Sequence, residues 1–249
     1  MYSVFSSTFG VRSAYVIFSL IFDTWENIMR KNTQRIKTLV AIAMFSALAY
    51  ASMFVIKIPV QFLDLEIKDS ITVLCGLIFG PLAAVSVSVV VPLIQLMTIS
   101  STGWYGLVMN ILSSLSFSLT VSLIYKYRKT FYGAITALIS GVLAMTAVMM
   151  LANLFITPFY MGVPRSDVVS LIPTLLLPFN LVKAILNAAI VLMFYKPVST
   201  IMKGIGVIET SGDSVTNNTN SIARNIVVTV ISAVIIVLSL VIVFFVIGK

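Results

Sequence analysis

The stretch Leu177-Pro178-Phe179-Asn180-Leu181-Val182-Lys183-Ala184-Ile185-Leu186-Asn187 decides how the chain is read. Three polar side chains interrupt an otherwise apolar run, at Asn180, Lys183 and Asn187. Spacings of three and then four put all three on one helical face, one above another. An ammonium inside a membrane helix is costly, so it normally faces a cavity or a partner and by default marks a functional site. The face is read as the lining of a pocket for a small polar-aromatic solute.

The rest of the chain supplies the membrane context. Of 249 residues, 59% are hydrophobic and 10% charged, with a mean hydropathy of +1.10, whereas a soluble domain carries about 25% charged residues. The fold expected is therefore all-α and polytopic. A net charge of +8 could suggest nucleic acid, but the basic residues are scattered at helix ends, as the positive-inside rule requires. Histidine is absent and Cys75 is the single cysteine. That excludes histidine-based zinc sites and Ser-His-Asp triads, and leaves Cys75 as a small buried hydrophobe. No phosphate-binding Gly-x-x-x-x-Gly-Lys-Ser/Thr loop is present, so the chain does not itself hydrolyse ATP by that device.

Residues 1–28 read as an N-terminal extension. Tyr15–Phe22 is apolar but too short to span, and Met29-Arg30-Lys31 could be a natural start. Residues 29–203 read as a core of six spans. The first, about 38–56, follows Arg30, Lys31, Arg35 and Lys37 and carries Ala43, Ala47 and Ala51 at intervals of four. Such a small-residue stripe allows close helix approach, either within the chain or by a partner subunit. Ile58–Asp69 reads as a non-cytoplasmic loop, with Asp69 capping the next helix. A short helix over 71–79 and a Gly80-Pro81 turn lead to a third helix over about 82–99, containing Pro92 and Gln95. The fourth span, about 106–125, holds Asn110 and a serine face read as interhelical glue. The fifth, about 131–157, holds Asn153 near its far end and runs into a corner from Thr157 to Gly162; the sixth, about 173–195, holds the opening motif.

Basic residues test this topology. Ten from Arg30 to Arg224 fall on the proposed cytoplasmic side, against Lys57, Lys68 and Arg165 on the other, which supports both ends of the core inside. Residues 204–225 are polar and read as a linker. Residues 226–249 carry an apolar run long enough for an additional C-terminal transmembrane helix. Asn217-Asn218-Thr219 matches a glycosylation acceptor by chance in a cytoplasmic linker.

No acidic residue lies between Asp69 and Asp167, so an intramembrane carboxylate of the kind used by ion-coupled carriers is not expected. The buried polar set is instead Gln95, Asn110, Asn153, Asn180, Lys183 and Asn187. Buried amides need partners, and a polyhydroxylated or heteroaromatic solute would supply them; for Gln95 and Asn110 helix-to-helix bonding serves equally well. Asn153 late in an outward helix and Asn180 early in an inward one share a depth near the outer face.

These residues resemble a known family: the riboflavin-specific substrate-binding (S) subunits of energy-coupling factor (ECF) transporters, the RibU family. The resemblance covers about residues 30–203. It rests on Leu65-Glu66-Ile67-Lys68-Asp69, Phe79-Gly80-Pro81, Gly106 to Asn110 with Ser116-Phe117, Ala152-Asn153 leading to Pro158-Phe159-Tyr160-Met161-Gly162, and Pro178-Phe179-Asn180 with Lys183. Residues 1–28 and 204–249 have no counterpart in it.

The resemblance implies a six-helix S-component core whose pocket binds riboflavin from the outer face, with Asn153, Asn180 and Lys183 holding the flavin ring system. Asn187, Asn110, Glu66 and Gln95 complete the candidate ligand set. Ala43, Ala47 and Ala51 correspond to the stripe that docks on a transmembrane coupling subunit driven by two ATP-binding subunits. The expected protein is a non-enzymatic subunit of a vitamin importer in the bacterial plasma membrane. It has no cofactor, riboflavin being cargo, and no nucleic-acid partner. The alternatives are an S subunit for another vitamin and a self-sufficient secondary carrier.

Overall fold

A computed structural model describes residues 32, 33, 35–100, 102–204 and 219–244. The expectations for residues 1–28, the Met29 start and most of the linker lie outside the described residues. The chain divides into two compact units, Met1–Val40 and Ala41–Lys249, and the core and the site belong to the second.

Among the described residues five helices are long and apolar enough to cross a membrane, as the composition predicts. The first is α1, Arg35–Val55. A hairpin follows, β1 (Lys57–Val60) and β2 (Leu63–Glu66), then α2 (Lys68–Phe79), α3 (Pro81–Thr98), α4 (Gly103–Tyr127) and α5 (Phe131–Met161). Next, α6 (Arg165–Leu171) passes through a π-helical turn, Ile172–Leu176, into α7 (Leu177–Gly204). The last element is α8 (Thr219–Ile242), whose apolar part among the described residues, Ile226–Ile242, is shorter than the five spans.

Several local expectations are corrected. The segment 58–69 is not a loop: Lys57 pairs with Glu66, Ile58 with Leu65, Pro59 with Asp64 and Val60 with Leu63, antiparallel. The two-residue connection Gln61-Phe62 puts Gln61 at a φ of 54°, the positive-φ first position that tight hairpin turns demand. The alternation buries Val60 and Leu65 against Leu175 of the π-helical turn and Phe179, Val182 and Leu186 of α7, so the hairpin lies on the helix that carries the opening motif. Asp69 does not cap α2; the flanking residue is Ile67, without a side-chain bond. Its carboxylate instead accepts hydrogen bonds from Ser113 and Ser114 of α4. The segment from Thr157 to Met161 is helical despite Pro158, and ends at Gly162 in the left-handed conformation.

Small residues set how closely the helices approach. A methyl group at Gly76 of α2 would lie 2.7 Å from the Ala84 side chain and 3.1 Å from that of Ser122, so this position admits α3 and α4 only as glycine. The main core joins Ala41, Phe45, Ala49 and Met53 of α1 to Val73 and Leu74 of α2, Val87 of α3 and Phe117 of α4. Helix α8 packs along α7, and its Ser232 and Ser239 are buried, as is Val243 just past its end.

Candidate solute-binding site

A cavity of about 100 Å³ lies between the hairpin and helices α4, α5 and α7. Asp64, Asn110, Ser113, Asn153, Thr157, Asn180 and Lys183 give it polar walls. Phe62 on the hairpin turn, Tyr105, Tyr160 and Phe179 add rings, and Met109 and Met149 soft apolar surface. Tyr105 and Tyr160 meet edge to face with centroids 6.0 Å apart. Met109, Met149 and Phe62 carry no signal in the sequence beyond being apolar.

Asn153 and Asn180 are each fixed by bonds to their own segment of the chain. Asn153 Nδ2 donates to the Met149 carbonyl at 2.7 Å, and its Oδ1 accepts from Thr157 Oγ1 at 2.9 Å. Asn180 Nδ2 donates to the Leu176 carbonyl at 2.8 Å, next to the π-helical turn, an irregularity common at functional sites. Asn180 lines the cavity, and Oδ1 is the acceptor of this carboxamide. Lys183 is 6% exposed, and its ammonium has one hydrogen-bond acceptor among the described residues, the Asp64 carbonyl at 3.4 Å. An ammonium carries three N–H donors, so most of this one remains for a solute.

Asn187, Glu66 and Gln95 lie outside the lining. Asn187, the third member of the α7 face, is buried with its groups engaged. Its Oδ1 accepts from the Ser70 amide at 2.8 Å, and its Nδ2 donates to the Glu66 and Lys183 carbonyls at 3.0 and 2.9 Å. It ties the end of the hairpin and the start of α2 to α7.

Behind the cavity lies a group that sequence reasoning placed in the outer loop. Lys68 is 1% exposed and ion-paired with Glu66 at 2.8 Å. It also donates to Gln95 Oε1 at 2.8 Å and to Asn110 Oδ1 at 2.9 Å. Burial alone would push the Glu66 carboxyl up; the Lys68 ammonium, helped by Lys183 and Lys57, outweighs that and holds it below the ordinary carboxylate range. The expectation of a core without carboxylates is thus corrected: Glu66 at the end of β2 and Asp69 at the start of α2 are both buried, ahead of the apolar run.

Other features stand apart. A larger cavity, about 530 Å³, lies at the other end of α7, lined mainly by apolar groups such as Leu77, Leu138 and Val191, with Lys196 and Thr200. Ala43, Ala47 and Ala51 are all exposed on α1, so the stripe is not consumed by packing within the described chain. No group of three or more His, Cys, Asp or Glu residues that could hold a metal ion occurs among the described residues.

Long apolar helices around one polar, ring-lined cavity define a multi-pass membrane protein built to hold a solute. Comparison with known proteins gives its family. The family model described as "ECF transporter, substrate-specific component" matches residues 37–195, and the chain belongs to that family. It is 32% identical over 184 residues to the riboflavin transporter RibU of Staphylococcus aureus (strain TCH60), over 70% of this chain and 96% of that protein. With the riboflavin transporter FmnP of Bacillus subtilis (strain 168) it shares 27% identity over 164 residues, 61% of this chain and 86% of that one. A solved S component of a bacterial ECF transporter matches with a TM-score of 0.58 at 31% identity, over 68% of this chain and 99% of the other. The family expected from the residue motifs is the family found. Helix α8 lies beyond the matched stretch.

Proposed function

We propose that the chain is the riboflavin-binding subunit of an ATP-driven importer in the bacterial cell membrane. It takes the vitamin from the outer face and delivers it by docking on a coupling subunit driven by two ATP-binding subunits. The observation that carries the reading is the convergence of Asn153 of α5 with Asn180 and Lys183 of α7 on one cavity with four aromatic rings. The offered groups suit a flavin: Lys183 and the carboxamides bond its heteroatoms, and Phe179 and the tyrosines cover its faces. Two relatives are named as riboflavin transporters. Asn110 contacts the solute from α4, while Glu66, Gln95 and Asn187 support the wall from behind. At about 100 Å³ the cavity is smaller than the roughly 300–1,000 Å³ of pockets for drug-sized ligands. A tricyclic ring therefore enters as lining side chains part, Phe62 and Leu63 on the hairpin and the Tyr105–Tyr160 pair among them.

Isothermal titration of the purified chain with riboflavin and a panel of other vitamins tests the assignment. Saturable heat with riboflavin alone is expected, and no heat with riboflavin ends it. Protein that purifies yellow supports it. The docking half is separable. Ala47→Trp on the exposed α1 stripe should leave riboflavin binding intact and abolish assembly and uptake; full uptake by this variant removes the stripe from the interface.

A secondary carrier would need a carboxylate free to take up an ion. Glu66 is paired with Lys68, Asp69 with two serines and Asp64, at the cavity wall, with Lys57, which speaks against that rival. Sustained accumulation in liposomes driven by an ion gradient, without added subunits, would revive it.

A further inference from the structure

Lys68 is the more deeply buried of the two ammonium groups near the cavity, yet it does not line it. Three oxygens surround it: it donates to Gln95 Oε1 at 2.8 Å and Asn110 Oδ1 at 2.9 Å, and it is ion-paired with Glu66 Oε2 at 2.8 Å. An ammonium can only donate and a carboxylate can only accept. Those two rules fix both carboxamides between the charges. Gln95 must face Glu66 with its nitrogen, as its Nε2 does at 3.2 Å, and Lys68 with its oxygen. Asn110 must also face Lys68 with its oxygen, which leaves its nitrogen toward Gln95 Oε1 at 3.2 Å and toward the cavity. One Nδ2 hydrogen is used by Gln95, and the other has no partner among the described residues. Reversing the Asn110 amide would set its NH₂ against the ammonium and lose both bonds.

We infer that Lys68, held by Glu66 and Gln95, is a positioning residue: it orients the Asn110 carboxamide so that this wall of the cavity offers an N–H donor and admits only a solute with an acceptor there. This rests on the reading that the cavity binds riboflavin, and it adds an element of specificity that lies outside the solute's reach. Four elements contribute to the device, the hairpin (Glu66), α2 (Lys68), α3 (Gln95) and α4 (Asn110), so one bond network couples their packing to the polarity of the wall. Lys183, with most of its donors open, touches the solute; Lys68, which does not line the cavity, acts through Asn110.

A double-mutant cycle on the full chain in detergent tests this, with riboflavin as the probe. Asn110→Asp keeps the oxygen facing Lys68 but removes the N–H, and should weaken binding roughly 10- to 100-fold. Lys68→Gln should weaken binding about tenfold in the parent and change it by less than about twofold when Asn110→Ala is already present, because the two act as one unit. Equal losses in both backgrounds, or an Asn110→Asp variant that binds as the parent does, would overturn the inference. If Lys68→Gln leaves too little folded protein, Glu66→Gln/Lys68→Gln, which removes both charges together, takes its place with the same expected pattern. A parent chain that gives no riboflavin signal refutes the flavin reading instead. The same cycle read on unfolding temperature without solute then decides the inference: strong coupling of Lys68 with Asn110 upholds it, and additivity overturns it.

Discussion

The two ends of α7 carry two cavities that differ in size and in the side chains that line them. Toward its start, Asn180 and Lys183 border a space of about 100 Å³ with polar groups on nearly every side. Toward its end, Tyr195 and Lys196 border a larger space of about 530 Å³ whose lining residues are mostly apolar. At that end the Tyr125 and Tyr195 hydroxyls bond each other, and Lys196 stands over the Phe131 ring at 5.8 Å. Room therefore does not mark the site. Recognition needs polar groups with unfilled hydrogen-bonding capacity held rigidly around a small volume, and those lie at the start of α7. The far cavity has the volume without the convergence.

The largest effects should come from the charges behind the small cavity. Lys68→Met or Glu66→Gln alone strands a buried charge, for which a loss of about 3–5 kcal/mol in stability is typical. Unfolding followed in detergent should show the loss, and Glu66→Gln/Lys68→Met should recover most of it. Single variants as stable as the parent would mean that the pair is reached by water. Next come the groups that face the solute. Asn180→Ala and Lys183→Ala should each weaken riboflavin binding by about 1–3 kcal/mol, since they leave buried solute atoms unpaired, whereas Lys196→Ala at the other cavity should leave the titration unchanged. If Lys196→Ala proves the more damaging, the assignment of the two cavities must be exchanged.

Much of this was legible in the sequence, and the failures have a common cause. The apolar helical class follows from composition, though not the number of helices, and Asn180 with Lys183 declare a shared face by spacing alone. Asn153 was placed at the depth of Asn180, and both line one cavity. The hairpin was missed because Pro59 and three acids in twelve residues outweigh the alternation of Val60, Leu63 and Leu65 when only local pattern is read. Lys68 was missed for a related reason. Beside Glu66 and Asp69 it looks like a solvated loop charge, and its other partners, Gln95 and Asn110, lie 27 and 42 residues away. Pairing at that separation leaves no trace in periodicity. Asp69 sits where a cap is expected, but Ser113 and Ser114 compete for it and win.

The pH dependence sharpens the same contrast. Folding holds the Glu66 carboxyl below its ordinary value, against the effect of burial, through Lys68, Lys183 and Lys57. A carboxylate depressed in this way contributes stability above its unfolded pKa, about 4.3 for glutamate, and the contribution is lost as pH falls through the lower, folded value. The unfolding temperature should therefore drop on acidification below that range, and the drop should be shallower in Glu66→Gln/Lys68→Met. An equally steep drop in that variant would assign the acid sensitivity to other carboxylates.

The smallest effect should come from the far end. Tyr125→Phe removes the bond between the Tyr125 and Tyr195 hydroxyls but keeps the edge-to-face ring contact, whose centroids are 5.7 Å apart. Losing one neutral hydrogen bond typically costs about 0.5–1.5 kcal/mol of stability. None of it should reach the riboflavin titration, because neither tyrosine lines the small cavity. A variant that unfolds slightly earlier yet binds riboflavin as tightly keeps the two ends of α7 independent. A loss of affinity larger than the loss of stability would mean that α7 transmits between them, and the far cavity would then have to be treated as part of the binding cycle.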